Sequence, residues 1–264
     1  LSHRPRKRFG QHFLQDPQVT SRILAVIDPR PGDRVVEIGP GLGVLTCPLL
    51  QRLGELDVVE IDRDLIPELQ RRCGEGGELR IHQADALTFD FASLSGVPRR
   101  LRVVGNLPYN ISTPLLFHLL AALEAIQDMH FMLQQEVVER ITASPGGKDY
   151  GRLSVMLQFH CEAEYLFHVG RGAFSPPPRV ESAVLRMRPR PTPPVPLQDH
   201  NLFASLVQGA FSHRRKTLRN ALGNLVVPTD MADAGIDPSL RPEQLAVEDY
   251  ARLSNAVASR LSPG

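Results

Sequence analysis

Asn106-Leu107-Pro108-Tyr109 combines residue types that could activate a ring amine. The amine of adenine is a poor nucleophile because its lone pair is delocalised into the ring. The Asn106 side-chain carbonyl, with the backbone carbonyl of Leu107 or Pro108, could accept its two N–H bonds. That pairing would favour a pyramidal nitrogen whose lone pair is free to attack. Pro108 restricts the backbone and removes a competing donor. Tyr109 offers an aromatic face for an unstacked base. The same four residues also make an ordinary turn, so the chemical reading needs context.

Three further signals supply it. Arg34 to Ile38 reads as a strand running into Gly39-Pro40-Gly41-Leu42-Gly43, with helical spacing from Val44 to Leu53. Glycines there let the backbone approach a ligand in front of a helix amino terminus. Val44 stands where G-x-G-x-x-G has its third glycine. That departure argues against a dinucleotide and toward an adenosyl group without a pyrophosphate. The strand Leu56 to Glu60 ends in an acid at roughly the 20-residue distance expected of a ribose-binding carboxylate. Asp85 follows the strand Leu79 to His82 and could accept from an adenine amine. A tight βα turn and solvated strand-end acids are the alternatives for each signal taken singly.

These residues need a parallel sheet to gather them, because open α/β sheets bind ligands at the carboxyl ends of their strands. Val103 and Val104 deliver the tetrapeptide from a fourth strand, and Met129 to Leu133 reads as a fifth. Helices are expected from Asp16-Pro17, over Ser112 to Leu123 and over Gln135 to Ala143. Further strands are expected over Leu153 to Phe159, Tyr165 to Val169 and Val180 to Met187. In the stiff segment Phe174-Ser175-Pro176-Pro177-Pro178, Phe174 could be a second face for a flipped base or a plain core residue. The proline-dense stretch 189–196 reads as a linker. It separates a ligand-binding domain, residues 1–188, from a helical domain, residues 197–264. Basic residues cluster at Arg6, Lys7 and Arg8, and again at Arg214, Arg215, Lys216 and Arg219 beside His213. Such runs are either solvated surface or phosphate contacts.

Composition narrows the class. The chain has 264 residues, 42% of them hydrophobic, enough for a substantial core. Lys+Arg 30 against Asp+Glu 29 gives a formal charge of +1, so bulk charge announces no polyanion partner and local charge must carry that argument. Cys47, Cys73 and Cys161 are odd in number and lack C-x-x-C spacing, which reads as reduced thiols in a cytoplasmic protein. No leader pattern and no membrane-length apolar run is evident. No metal site is expected: His160-Cys161-Glu162 fits the H-x-E of zinc deaminases but has no P-C-x-x-C partner.

Taken in order, the motifs resemble the KsgA family of ribosomal RNA adenine dimethyltransferases. The resemblance runs through Arg6-Lys7-Arg8-Phe9-Gly10-Gln11, Val36 to Gly43, Asn106 to Pro114, Met129 to Leu133, Tyr150 to Val155, Phe174 to Pro178 and Arg214-Arg215-Lys216-Thr217. It implies an α/β, Rossmann-like class I methyltransferase fold with a mostly parallel sheet and a small all-helical C-terminal domain. It implies S-adenosylmethionine as methyl donor. The implied acceptors are two adjacent adenosines near the 3′ end of small-subunit rRNA, in a late precursor of that subunit, with the enzyme acting as a monomer. By the same resemblance His12, Leu14, Gly39, Gly41, Glu60, Asp85 and Asn106 hold the cofactor. Asn106, Leu107, Pro108, Tyr109 and Phe174 position the target base. Arg6, Lys7, Arg8, Arg214, Arg215, Lys216 and Arg219 meet RNA. His12 departs from the Asn often found there in the family. The rival readings are a large-subunit rRNA methylase of the macrolide-resistance type, a DNA adenine methylase and a non-catalytic assembly factor.

Overall fold

The computed structural model describes residues 12–262; Arg6, Lys7 and Arg8 lie outside them. After β1 (Phe13–Leu14), the chain enters α1 (Pro17–Ile27). The Asp16 side chain accepts from the amides of Gln18 and Val19, satisfying two of the free N–H groups at the helix start, and Pro17 fits the first turn. Val19, Ile23, Leu24 and Ile27 form its buried stripe.

Two βα steps and a third strand follow: β2 (Arg34–Ile38), α2 (Thr46–Leu53), β3 (Glu55–Glu60), α3 (Ile66–Cys73) and β4 (Glu78–Gln83). Next come β5 (Leu101–Asn106), α4 (Ser112–Leu119), β6 (Ile126–Gln134) and α5 (Gln135–Thr142). After α6 (Arg152–His160) come β7 (Cys161–Val169), β8 (Phe174–Ser175) and β9 (Ser182–Pro189). The remaining helices are α7 (His200–Ser212), α8 (Leu218–Leu222), α9 (Pro228–Asp233) and α10 (Val247–Leu261).

Seven strands form one sheet in the order β4-β3-β2-β5-β6-β9-β7. The first five run parallel, and β9 pairs antiparallel with β6. Strands β2, β3 and β5 are almost wholly buried along their length, as expected of parallel strands covered on both faces. Chain order reverses between β2 and β5, where Glu37 sits opposite Val104. A crevice therefore opens beyond the carboxyl ends of these two strands. At the other end of β5, buried Arg102 binds Asp128 at 3.0 Å, Asp33 at 2.7 Å and the Ile27 carbonyl at 2.6 Å. This network ties the end of α1 to the base of the sheet.

Two compact units emerge. One holds Glu164–Pro189 with the chain up to Val138; the other holds Glu139–Ala163 with Arg190 onward. The first unit ends at Pro189, where the proline-dense stretch begins. The contribution of Glu139–Ala163 to the helical unit was not foreseen. Its cause is that the expected strand over Leu153 to Phe159 is the helix α6. Val155, Met156, Leu157 and Phe159 are all buried, and so short an apolar run does not reveal its period. Within the helical unit Phe159 packs on Phe203 of α7 with ring centroids 4.7 Å apart.

The cysteine expectation is also corrected. Cys47 and Cys73 form a disulfide with Cα atoms 4.7 Å apart. Their 26-residue separation concealed that α2 and α3 pack together. Cys161 is free and buried, its thiol pushed up to about 12 by burial. No helix among the described residues is long and apolar enough to cross a membrane.

Candidate active site

The crevice at the strand reversal is a cleft of about 1160 Å³ including its open mouth. His12, Leu14, Gly39, Gly41, Glu60, Asp85 and Asn106 to Tyr109 all line it. The sequence-predicted cofactor residues and the tetrapeptide thus meet in one place, although they come from five separate stretches of chain.

The glycine turn after β2 forms one wall. Gly41 has φ +57, and a Cβ there would sit 3.1 Å from the Phe13 ring. At Gly43, φ +82, a Cβ would lie 2.7 Å from Cys73 Sγ. The third glycine therefore serves the packing of the turn on α3, while the first two present backbone to the cleft.

Glu60 ends β3 and is almost fully buried. Its carboxylate accepts from the Asp62 amide at 2.7 Å and from the Gly41 amide at 3.4 Å. Burial raises its pKa, and those backbone donors pull it partly back. Glu60 thereby links the second strand to the glycine turn. Asp85 lies beyond β4, exposed, with one oxygen accepting from the Leu87 amide at 2.9 Å. Ile38, Val59, Leu65 and Ala86 supply apolar surface between these polar groups.

The tetrapeptide closes the other side. The Leu107 amide donates to the Met132 carbonyl at 3.1 Å, extending the β5–β6 pairing into the turn. The Pro108 carbonyl accepts from Ile111 at 3.2 Å, and the Tyr109 carbonyl accepts from the Ser112 hydroxyl at 3.1 Å as α4 begins. Of the two backbone acceptors considered for a ring amine, Pro108 already accepts one bond within the turn. Asn106 Nδ2 donates to the His12 carbonyl at 3.1 Å. That bond orients the amide and leaves Oδ1 as the acceptor in the cleft wall.

His12 and Leu14 are held by an antiparallel pairing of β1 with β8, in which Leu14 faces Phe174. His12 Nδ1 lies 2.8 Å from the Pro176 carbonyl. A carbonyl only accepts, so Nδ1 carries the hydrogen. The imidazole stacks on Tyr109 with centroids 5.7 Å apart and planes inclined at 28°. Phe174, by contrast, is 4% exposed within the core and does not line the cleft. Phe174 is therefore a core residue paired with β1, not an aromatic face in the cleft, and the ring beside Tyr109 is that of His12.

Two residues escaped the sequence reading, Glu37 in the cleft wall and Ser182 in contact with Tyr109. Glu37 is 2% exposed, lines the cleft and accepts from the Thr46 hydroxyl at 2.6 Å. Its pKa is raised to about 7 by burial, despite the Thr46 bond and with a small addition from the Glu60 charge. An acid inside the apolar run Val35-Val36-Glu37-Ile38 was the available signal. Ser182, whose Oγ is 2.6 Å from the Tyr109 hydroxyl, had no local signal at all.

In the helical unit the Asp199-capped α7 ends before the basic cluster. Arg215, Lys216 and Arg219 are exposed. Arg214 is different: it donates to the carbonyls of Gly147 at 3.3 Å and Lys148 at 2.6 Å, and its Nε lies 3.8 Å from Glu243. It braces a loop of its own unit.

Comparison with known proteins gives the family. The chain is 57% identical to the ribosomal RNA small subunit methyltransferase A of Nitrosococcus oceani, over 96% of each chain. It is 56% identical to the protein of that name from Pseudomonas aeruginosa, over 97% of this chain and 96% of the other. Among solved structures, a dimethyladenosine transferase from Plasmodium falciparum superposes with a TM-score of 0.78 at 26% identity, covering 92% of this chain and 96% of that one. The 23S rRNA methyltransferase ErmE gives 0.72 at 27% identity, covering 93% and 99%. The family model described as ribosomal RNA adenine dimethylase matches residues 2–259. A match running from residue 2 into α10 takes in every element described above, and the chain belongs to the ribosomal RNA adenine dimethylase family.

Proposed function

We propose that this chain dimethylates the exocyclic N6 amines of two adjacent adenosines near the 3′ end of small-subunit rRNA. It does so on a late precursor of that subunit, as a cytoplasmic monomer using S-adenosylmethionine. The cleft suits that cofactor: side-chain-free glycine backbone, two strand-end carboxylates and an apolar slot lie together, a set that matches a nucleoside with an amino-acid tail. His12, Leu14, Gly39, Gly41, Glu60, Asp85 and Asn106 would hold it. Bound there, S-adenosylmethionine supplies an electrophilic methyl group on a sulfonium.

The chain's own contribution is orientation. Asn106 Oδ1 and the Leu107 carbonyl accept the two amine hydrogens, so the nitrogen lone pair is turned out of the ring's conjugation. Tyr109 carries the flipped base on its face. Alignment of this kind can supply much of the acceleration when the donor is already activated. Arg215, Lys216 and Arg219, with Arg6, Lys7 and Arg8 of the N-terminal arm, contact phosphates and hold the precursor.

The observation that carries this reading is the Asn106–His12 bond, which commits the amide nitrogen and presents the oxygen. The test is incubation of wild type and Asn106→Ala with unmethylated small subunits and labelled donor, followed by mapping of the label. Wild type should label the two adjacent adenosines, and the variant should bind cofactor but transfer little. Label in large-subunit RNA, or wild-type transfer by the variant, would overturn the proposal.

A further inference from the structure

Strand β9 starts beside the crevice. Ser182, its first residue, faces Gln134 at the end of β6 and is completely buried. Its Oγ lies 2.6 Å from the hydroxyl of Tyr109. The preceding residue fixes this strand end firmly. The Glu181 carbonyl accepts from the Gln135 amide at 3.0 Å. The Glu181 carboxylate accepts from the Arg171 amide at 3.1 Å and from Arg171 Nε at 3.0 Å, and His168 Nε2 lies 3.2 Å away. Ser182 is thus a fixed point at the tip of the Tyr109 ring, and His12 stacks against that ring's face.

A stack leaves a ring free to slide and turn in its plane, whereas a hydroxyl–hydroxyl bond at the tip fixes its direction. We propose that Ser182 is a positioning residue for methyl transfer: its bond to the Tyr109 hydroxyl sets the ring plane on which the target adenine lies. The proposal rests on the reading of Tyr109 as the base platform. Burial also raises the Tyr109 pKa, which keeps the phenol neutral and able to share a hydrogen with Ser182. Reacting groups tolerate little misplacement, and a ring released at its tip would carry the amine away from Asn106 Oδ1. Affinity for the ribosomal particle rests on many phosphate contacts elsewhere. The effect therefore falls on the transfer step and spares both KM and cofactor binding.

The test compares Ser182→Ala, Tyr109→Phe, the double variant and Tyr109→Ala. Single-turnover rates are measured on unmethylated small subunits, alongside KM for the particle and binding of S-adenosylhomocysteine. Ser182→Ala and Tyr109→Phe should each slow transfer about fivefold, with KM and ligand Kd changed less than about twofold. The double variant should be no slower than either single one, because both remove the same bond. A wild-type rate in Ser182→Ala, or a double variant slowed by the product of the two single effects, overturns the proposal. Should Ser182→Ala fail to fold, Tyr109→Phe removes the bond from a half-exposed position, and a wild-type rate there is equally fatal. The platform reading fails separately: Tyr109→Ala at the wild-type rate refutes it. A crippled Tyr109→Ala beside an unaffected Ser182→Ala refutes only the role of Ser182.

Discussion

Glu37→Gln should make the ligand-free protein more stable, and only above acid pH. The Glu37 carboxyl is buried on β2 and its hydrogen bond comes from Thr46 at 2.6 Å. Its pKa rises from 4.5 in the unfolded chain to about 7 in the fold, chiefly through burial. An acid with a raised folded pKa leaves stability intact below pH 4.5, where it is protonated in both states. The penalty grows as pH rises and is complete above pH 7, where the folded protein must carry the buried charge. The interval from 4.5 to about 7, at 1.36 kcal/mol per pKa unit, corresponds to about 3 kcal/mol. Glutamine keeps the shape and can still accept from Thr46. The variant should therefore match wild type near pH 4.5 and exceed it by about 3 kcal/mol at pH 8. In melting temperature that is roughly 6–12 °C. Melting curves of both proteins over this range, taken as a difference so that other titrations cancel, give the result directly. A difference that does not vary with pH, or a variant less stable at pH 8, would refute the reasoning. The same substitution should weaken cofactor affinity, because a buried anion on the cleft wall favours a ligand bearing an ammonium group.

Gly105→Ala should cost about 2 kcal/mol by overpacking, since a Cβ there would sit 2.5 Å from the Ile38 carbonyl. Differential scanning calorimetry should show the loss, and transfer should slow because Asn106 is the next residue. Arg215→Glu with Arg219→Glu should weaken binding to small subunits at low salt by about tenfold or more and flatten its salt dependence, with cofactor affinity unchanged. Arg214→Ala should instead lower stability while leaving the salt slope in place, because Arg214 is committed to the Gly147 and Lys148 carbonyls. His12→Asn should retain cofactor binding, because the Asn106 contact uses the His12 backbone, yet slow transfer about threefold through loss of the stack on Tyr109. A loss of cofactor affinity beyond about tenfold in isothermal titration would show that the imidazole itself holds the cofactor.

The parallel sheet was legible because β2, β3 and β5 each carry a Val-Val pair near glycines or acids; those boundaries marked Gly39 and Glu60, and the end of β4 marked Asp85. Helix α6 was not legible: it is buried nearly all round, so its apolar residues show no stripe, and the surfaces that cover it come from α7 and α10, distant in sequence. The disulfide was hidden for a related reason, since it depends on α2 and α3 being neighbours in space. At the site, residue type and strand-end position placed Asn106 and Tyr109. The burial of Phe174 and the placing of the His12 ring beside Tyr109 lay beyond reach, because they depend on the pairing of two-residue strands 160 positions apart. Ser182 is the extreme case, a small polar residue whose role comes entirely from the β6–β9 register.

The glycine turn and the Tyr109 wall of the cleft are joined at one residue. Asn106 ends β5 between the glycine turn and Tyr109, and its amide is held by the carbonyl of His12, whose ring rests on Tyr109. β1 in turn is held by β8, and Pro176 accepts from the His12 ring. A shift of β1 would therefore disturb the Asn106 amide and the Tyr109 ring together. A site built this way resists adjusting one half without the other. That property suits a reaction in which donor and base must be aligned twice on each amine.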